Sequence, residues 1–163
     1  MTDPLSLALA SALMLVAIVT TRPLPKRRQR VDVALCDAAS VGDIRTIKRL
    51  LADGVSENSA DEDGMTALHA AAFSGQEGTV RVLLEANADP DAQDVSGMTA
   101  LMNAVLASGE MDQGDTHPIF LKIVDLLLEA GADVEIEDGD GLTARDHAEA
   151  YGLVDIVARL DES

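Results

Sequence analysis

Apolar residues recur three or four residues apart in two distant stretches of the chain, residues 44–51 and 154–160. Such spacing places the apolar side chains on one face and predicts an amphipathic helix in each stretch. The apolar positions are Ile44, Ile47, Leu50 and Leu51 in the first stretch, and Val154, Ile156, Val157 and Leu160 in the last. Between them, alanine-rich stretches alternate with polar, glycine-containing segments, so the pattern indicates several short helices joined by turns.

One unit of sequence is repeated along the chain. Residues 64–71 recur at 97–104, which is 33 residues later, and again at 141–148, a further 44 residues on. The second half of the unit recurs as well, since residues 82–89 match residues 126–133. A degenerate copy with the same spacing precedes the first of these. Self-similarity at such a period is the signature of a repeat architecture.

Each copy carries the same signals for starting and stopping a helix. A dipeptide ending in glycine predicts a turn, and a threonine follows it whose hydroxyl can cap the next helix. These threonines are Thr66, Thr99 and Thr143. The second helix of a copy is expected to stop at Gly54, Asn87 or Gly131. Glycine and asparagine are the two residues that best tolerate the left-handed conformation after a helix, so the exchange predicts one shared geometry.

The segment Thr66-Ala67-Leu68-His69-Ala70-Ala71 resembles the Thr-Pro-Leu-His-x-Ala motif of the ankyrin repeat, with alanine in place of proline. The resemblance covers nearly all of residues 31–163. It implies an all-α fold: an α-solenoid of about four helix pairs, including caps, with short hairpin fingers between them. Family members commonly bind proteins along the fingers and the inner helices. The resemblance also implies that His69 bonds to nearby backbone or hydroxyl groups and orients the turn.

The copies divide the array into units at residues 31–63, 64–96, 97–140 and 141–163. The first and last units lack parts of the motif and carry polar residues, as the caps of a repeat array do. The third unit contains eleven extra residues near 108–120. Their polar, glycine-containing sequence predicts a surface loop.

A run without charged residues precedes the array, from residue 5 to residue 21. As a helix, these seventeen residues would span about 25 Å, the short end of a membrane crossing. We therefore predict a hydrophobic helix at residues 1–21 that crosses a membrane through residues 4–21. Basic residues follow it in a proline-containing linker, residues 22–30, and the positive-inside rule keeps that side in the cytoplasm. A cleaved signal peptide is the alternative, and it would make the array periplasmic or secreted.

Acidic residues concentrate in three segments that connect the units. We call them the first finger (residues 56–63), the second finger (87–96) and the third finger (131–140); together they contain twelve acidic residues and no lysine or arginine. The formal net charge of −17 disfavours nucleic acid and favours a protein partner with a basic surface. General solubility is the alternative explanation of these charges. The candidate partner-binding residues are Asp61, Asp63, Asp91, Asp94, Glu135, Glu137 and Asp138.

No residues have the spacing of a catalytic or metal site. Nothing in the sequence supplies a base to the single cysteine, Cys36, and no two histidines have metal-ligand spacing. We therefore expect no enzymatic activity, metal or cofactor, and we expect His147 to be a surface residue. The predicted function is that of a membrane-tethered adaptor that binds another protein through its fingers and inner helices. The alternative is an exported repeat protein with a protective or effector role.

Overall fold

The computed structural model describes residues 26–111 and 118–162, and within these ranges the chain forms eight α-helices. The helices are α1 (Lys26–Ser40), α2 (Ile44–Ala52), α3 (Ala67–Phe73), α4 (Glu77–Glu85), α5 (Ala100–Met111), α6 (Pro118–Glu129), α7 (Ala144–Tyr151) and α8 (Val154–Asp161). The hydrophobic helix predicted at residues 1–21 lies outside the described residues. None of the eight helices is long and apolar enough to span a bilayer.

The helices form pairs that stack side by side in two layers. The first helices of the pairs, α1, α3, α5 and α7, pack against one another, and the second helices, α2, α4, α6 and α8, form the other layer. Small side chains allow this close approach: the alanines of α3 are all buried. Larger side chains such as Ile47, Leu83, Leu127 and Ile156 fill the space inside the pairs and are fully buried. This arrangement confirms the expected all-α array of helix pairs.

The expected helix stops are confirmed at all three equivalent positions. Gly54 and Gly131 have φ of 85° and 88°, and Asn87 has φ of 66°. Asn87 is the one residue other than glycine with positive φ in the described part of the chain. The exchange of glycine for asparagine therefore preserves one left-handed geometry after the second helix.

Two helices differ from the sequence prediction at their N-terminal ends. Helix α1 begins at Lys26, so residues 26–30, which the sequence places in the linker, are its first turns. In α8, Val154 is 75% exposed, whereas the prediction placed it on the buried face. The buried positions are Leu153, Ile156 and Leu160, which follow one another at helical spacing. Val154 lies one residue, about 100° of rotation, away from that stripe.

The extra residues of the third unit begin as a continuation of helix α5. Gly75 and Gly152 end the first helices of their units with positive φ, and Ser108 stands at the equivalent position of the third unit. Because serine does not impose that break, α5 runs for 12 residues. Ser108 is fully buried, and its hydroxyl has no hydrogen-bond partner within the described residues. The predicted surface loop is therefore wrong for residues 108–111; residues 112–117 lie outside the described ranges.

This extra turn also connects the third unit to the last. The backbone of Gly109 lies against the ring of Tyr151 so closely that a Cβ atom at position 109 would overlap the ring. A glycine in this turn therefore serves packing between units rather than loop flexibility.

Candidate protein-interaction surface

An aspartate holds the turn near the end of each finger. Oδ1 of Asp61 accepts hydrogen bonds from the backbone N–H groups of Asp63 and Met65, at 3.0 Å each. Asp94 and Asp138 accept the equivalent bonds from the residues two and four positions further on, at 2.8 to 3.0 Å. Three of the seven candidate acids therefore build the finger turns.

Backbone hydrogen bonds join neighbouring fingers into a row. The N–H of Val95 donates to the carbonyl of Asp63 at 2.9 Å, and the N–H of Gly139 donates to the carbonyl of Ser96 at 2.8 Å. Asp91 adds a side-chain link, because its Oδ1 accepts a bond of 2.8 Å from a backbone N–H of the third finger. The finger tips are thus held directly beside one another, and a fourth candidate acid, Asp91, belongs to the scaffold.

His69 connects the second unit to the third. Its Nδ1 lies 2.8 Å from the hydroxyl of Thr66 and 3.2 Å from the Thr66 backbone nitrogen, and its Nε2 lies 2.9 Å from the carbonyl oxygen of Met98. Since a carbonyl only accepts, Nε2 carries the proton and Nδ1 is the acceptor for both Thr66 groups. The ring is fully buried, and this burial lowers the pKa of His69 below its ordinary value.

Other residues occupy the equivalent position in the neighbouring units. In the first unit it is Cys36, whose Sγ donates to the carbonyl of Met65 at 3.4 Å. Burial, with nearby acids, raises the pKa of Cys36 to about 12, so the thiol stays protonated at neutral pH. In the third unit it is Met102, which has no side-chain donor; its backbone N–H lies 3.4 Å from the Thr99 hydroxyl.

The last unit replaces this histidine by Asp146. The carboxylate of Asp146 accepts bonds from the N–H and the hydroxyl of Thr143 at 2.8 and 2.7 Å, and these bonds lower the pKa of Asp146. Nearby, Nε2 of His147 lies 2.7 Å from Oδ2 of Asp138. The bond from the N–H of Leu142 and then that from His147 lower the pKa of Asp138. His147 is not the freely exposed residue expected, because only 15% of its side chain is accessible.

The remaining candidates have free carboxylates. Asp63, Glu135 and Glu137 are exposed, and their carboxylates make no hydrogen bond or ion pair within the described ranges. Glu62 and Asp140, which lie at finger tips but were not singled out by the sequence, share both properties. The twelve finger acids therefore do not form one uniform ridge, since some are tied to the scaffold and others face solvent unpaired.

Sequence reasoning did not identify the apolar residue at the tip of the second finger. Val95 is 75% exposed, although its backbone is fixed by the bond to the first finger. A signal was present in the register, because Val95 lies 33 residues after the acidic Glu62, at the equivalent position of its finger.

The described residues contain no group of three or more histidine, cysteine or carboxylate side chains placed to hold a metal ion. The chemistry offered by the fingers is instead that of a surface, with fixed backbone, unpaired carboxylates and an exposed apolar tip.

Comparisons with known proteins agree with this geometry. A family model described as "Ankyrin repeats (3 copies)" matches residues 35–138. A protein of fowlpox virus (strain NVSL), named for its ankyrin repeats, is 50% identical over 46 residues, which is 28% of this chain. The match covers 31% of that viral protein, so the chain spans less than a third of its length. Ankyrin repeats are typically binding modules without enzymatic activity, and they suggest protein–protein interaction. Because the family model matches more than half of the sequence, the chain belongs to the ankyrin-repeat family.

Proposed function

We propose that this chain is a protein-interaction module whose finger tips bind a partner with a basic surface. One observation carries the proposal: five exposed carboxylates at or near the tips have no partner within the described residues. They belong to Glu62, Asp63, Glu135, Glu137 and Asp140. Carboxylates held on a fixed backbone in this way are available to pair with lysine or arginine of another protein.

The distribution of ion pairs supports binding over general solubility. All lysines and arginines of residues 32–162 lie on helices, and most of them pair with acids on helices. Arg81 contacts Glu77 at 3.3 Å, and Arg159 contacts Asp125 at 3.0 Å. The helical surface therefore carries balanced charge, whereas the finger tips carry unbalanced negative charge. Such a localised field steers a basic partner toward the fingers and accelerates association.

Neutralising the free finger carboxylates should reduce recovery of a partner in a pull-down by about tenfold, because several exposed ion pairs are lost together. The variant combines Glu62→Gln, Asp63→Asn, Glu135→Gln and Asp140→Asn. The measurement is quantitative mass spectrometry of proteins captured from membranes or lysate, at low and at physiological salt, where the Debye length is about 8 Å.

A matched control changes the net charge equally on the helices. It combines Glu85→Gln, Glu129→Gln, Asp155→Asn and Glu162→Gln, all exposed and without an ion pair in the described residues. The control should recover the partner as the wild type does. A similar loss in both variants would show that overall charge, and not the fingers, determines binding.

We also propose that residues 4–21 tether the array to a membrane, with the array on the cytoplasmic side. The uncharged run and the basic residues that follow it support this proposal. N-terminal sequencing and alkaline extraction of the protein from cells test it. An intact N-terminus in the membrane pellet is expected. A mature protein that starts near residues 18–30 would instead favour the alternative, an exported protein with a protective or effector role.

A further inference from the structure

The free carboxylates lie at the tips of the first and third fingers only. In the second finger, Asp89 accepts a bond of 3.0 Å from a backbone N–H, Asp91 bonds to the third finger, and Asp94 holds the turn. The tip of this finger consists of Val95 and Ser96, both exposed. The middle of the row is therefore apolar, with acids on either side.

The order of these groups is fixed by the backbone. Asp63 and Val95 are neighbours through the bond of 2.9 Å between the two fingers, and Ser96 and Gly139 are neighbours through the bond of 2.8 Å on the other side. Asp140 follows Gly139 directly. Reading along the row, a partner meets carboxylate, then valine, then carboxylate. A single exposed valine is ordinary on a protein surface, but this one is held between two unpaired acidic tips.

The spacing of the row sets the spacing of a complementary segment. Packed helices lie about 10 Å apart, so successive finger tips that follow the helix pairs are separated by about the same distance. Three residues of an extended chain also cover about 10 Å. A segment that lies along the tips therefore presents one side chain to each finger when these side chains are three residues apart.

We infer that the fingers recognise an extended partner segment in which an apolar residue is flanked, three residues away on each side, by arginine or lysine. This inference rests on the proposed function and specifies the chemistry of the partner. The apolar residue contacts Val95, and the two cations pair with the acidic tips of the first and third fingers. Order along the segment, and not only its charge, determines affinity.

Synthetic peptides test the order directly. One peptide places leucine between two arginines at three-residue spacing in a serine background, and a second has the same composition with the leucine moved to one end. The wild-type chain should bind the first peptide about fivefold more tightly by fluorescence anisotropy, since part of one apolar side chain is buried only in that complex.

Two valines of equal exposure provide the matched variants. Val95→Ser should abolish the difference between the peptides, whereas Val154→Ser, at a valine that is also 75% exposed but lies on α8, should preserve it. Asp63→Asn combined with Asp140→Asn should weaken both peptides. Equal affinity of the wild type for the two peptides would overturn the ordered motif and leave the proposed function standing. Affinities that Asp63→Asn and Asp140→Asn do not change, or no binding of either peptide, would overturn both.

Discussion

Replacing Gly97 by alanine should lower the free energy of unfolding by about 3 kcal/mol, whereas the same change at Gly131 should cost about 1 kcal/mol. Both glycines have positive φ, 79° and 88°, so alanine is strained at both positions. At Gly97, an added Cβ would lie 2.8 Å from the backbone nitrogen of Gly139 and 3.0 Å from backbone carbons of Asp138. Backbone atoms cannot rotate away as a side-chain end can. At Gly131, nothing lies within 4 Å of the added atom.

Urea unfolding followed by circular dichroism measures both variants against the wild type. The difference between the two costs isolates the close approach of the second and third fingers from the strain of the turn itself. Equal costs for Gly97→Ala and Gly131→Ala would contradict the contact between these fingers, and with it the fixed row of tips.

Replacing His69 by phenylalanine should lower the free energy of unfolding by about 3 kcal/mol, because the Thr66 groups and the Met98 carbonyl lose their partner inside the protein. A buried polar group left without a hydrogen bond costs about 1–3 kcal/mol, and phenylalanine supplies no replacement. Cys36→Ala, at the equivalent position of the first unit, removes only a weak thiol donor and should cost about 1 kcal/mol. The same unfolding experiment compares the two variants. Similar costs would contradict a special role for the imidazole.

The imidazole also makes stability depend on pH. Burial lowers the pKa of His69 in the folded state, so the unfolded chain binds a proton more readily near its ordinary pKa. The stabilisation is therefore fully present above about pH 6.5 and declines as the pH falls below it. Asp138 and Asp146 have lowered pKa values, so the stability they contribute is lost only near or below the ordinary range of aspartate. The difference between wild type and His69→Phe should shrink from pH 7.5 to pH 5. A difference that stays constant would contradict the buried neutral ring.

The fold follows from the sequence because the repeated residues are the ones that build it. The turn glycines, the capping threonines and the Gly-or-Asn stops recur in register, and they satisfy the same local geometry in each unit. The same logic separates the finger acids. Asp61, Asp94 and Asp138 recur at the same position of each finger and hold its turn. Glu135 and Glu137 have no such recurring role, and their carboxylates are free within the described residues.

The departures from prediction arise from contacts between units, which local sequence does not report. Ser108 and Gly109 look like loop residues by composition, yet the helix continues through them and Gly109 lies against Tyr151, 42 residues further along the chain. The charge of the fingers likewise suggested a continuous acidic ridge. Only the hydrogen bonds of Asp91 to the neighbouring finger, together with the exposure of Val95, reveal that its centre is apolar.

The most direct test of partner binding by the finger tips is the pull-down with the two charge-matched variants. Loss of the partner when Glu62, Asp63, Glu135 and Asp140 are neutralised, with full recovery when Glu85, Glu129, Asp155 and Glu162 are neutralised, is the expected result. Equal recovery of the partner by both variants and the wild type, from arrays with unchanged helical content, would contradict it.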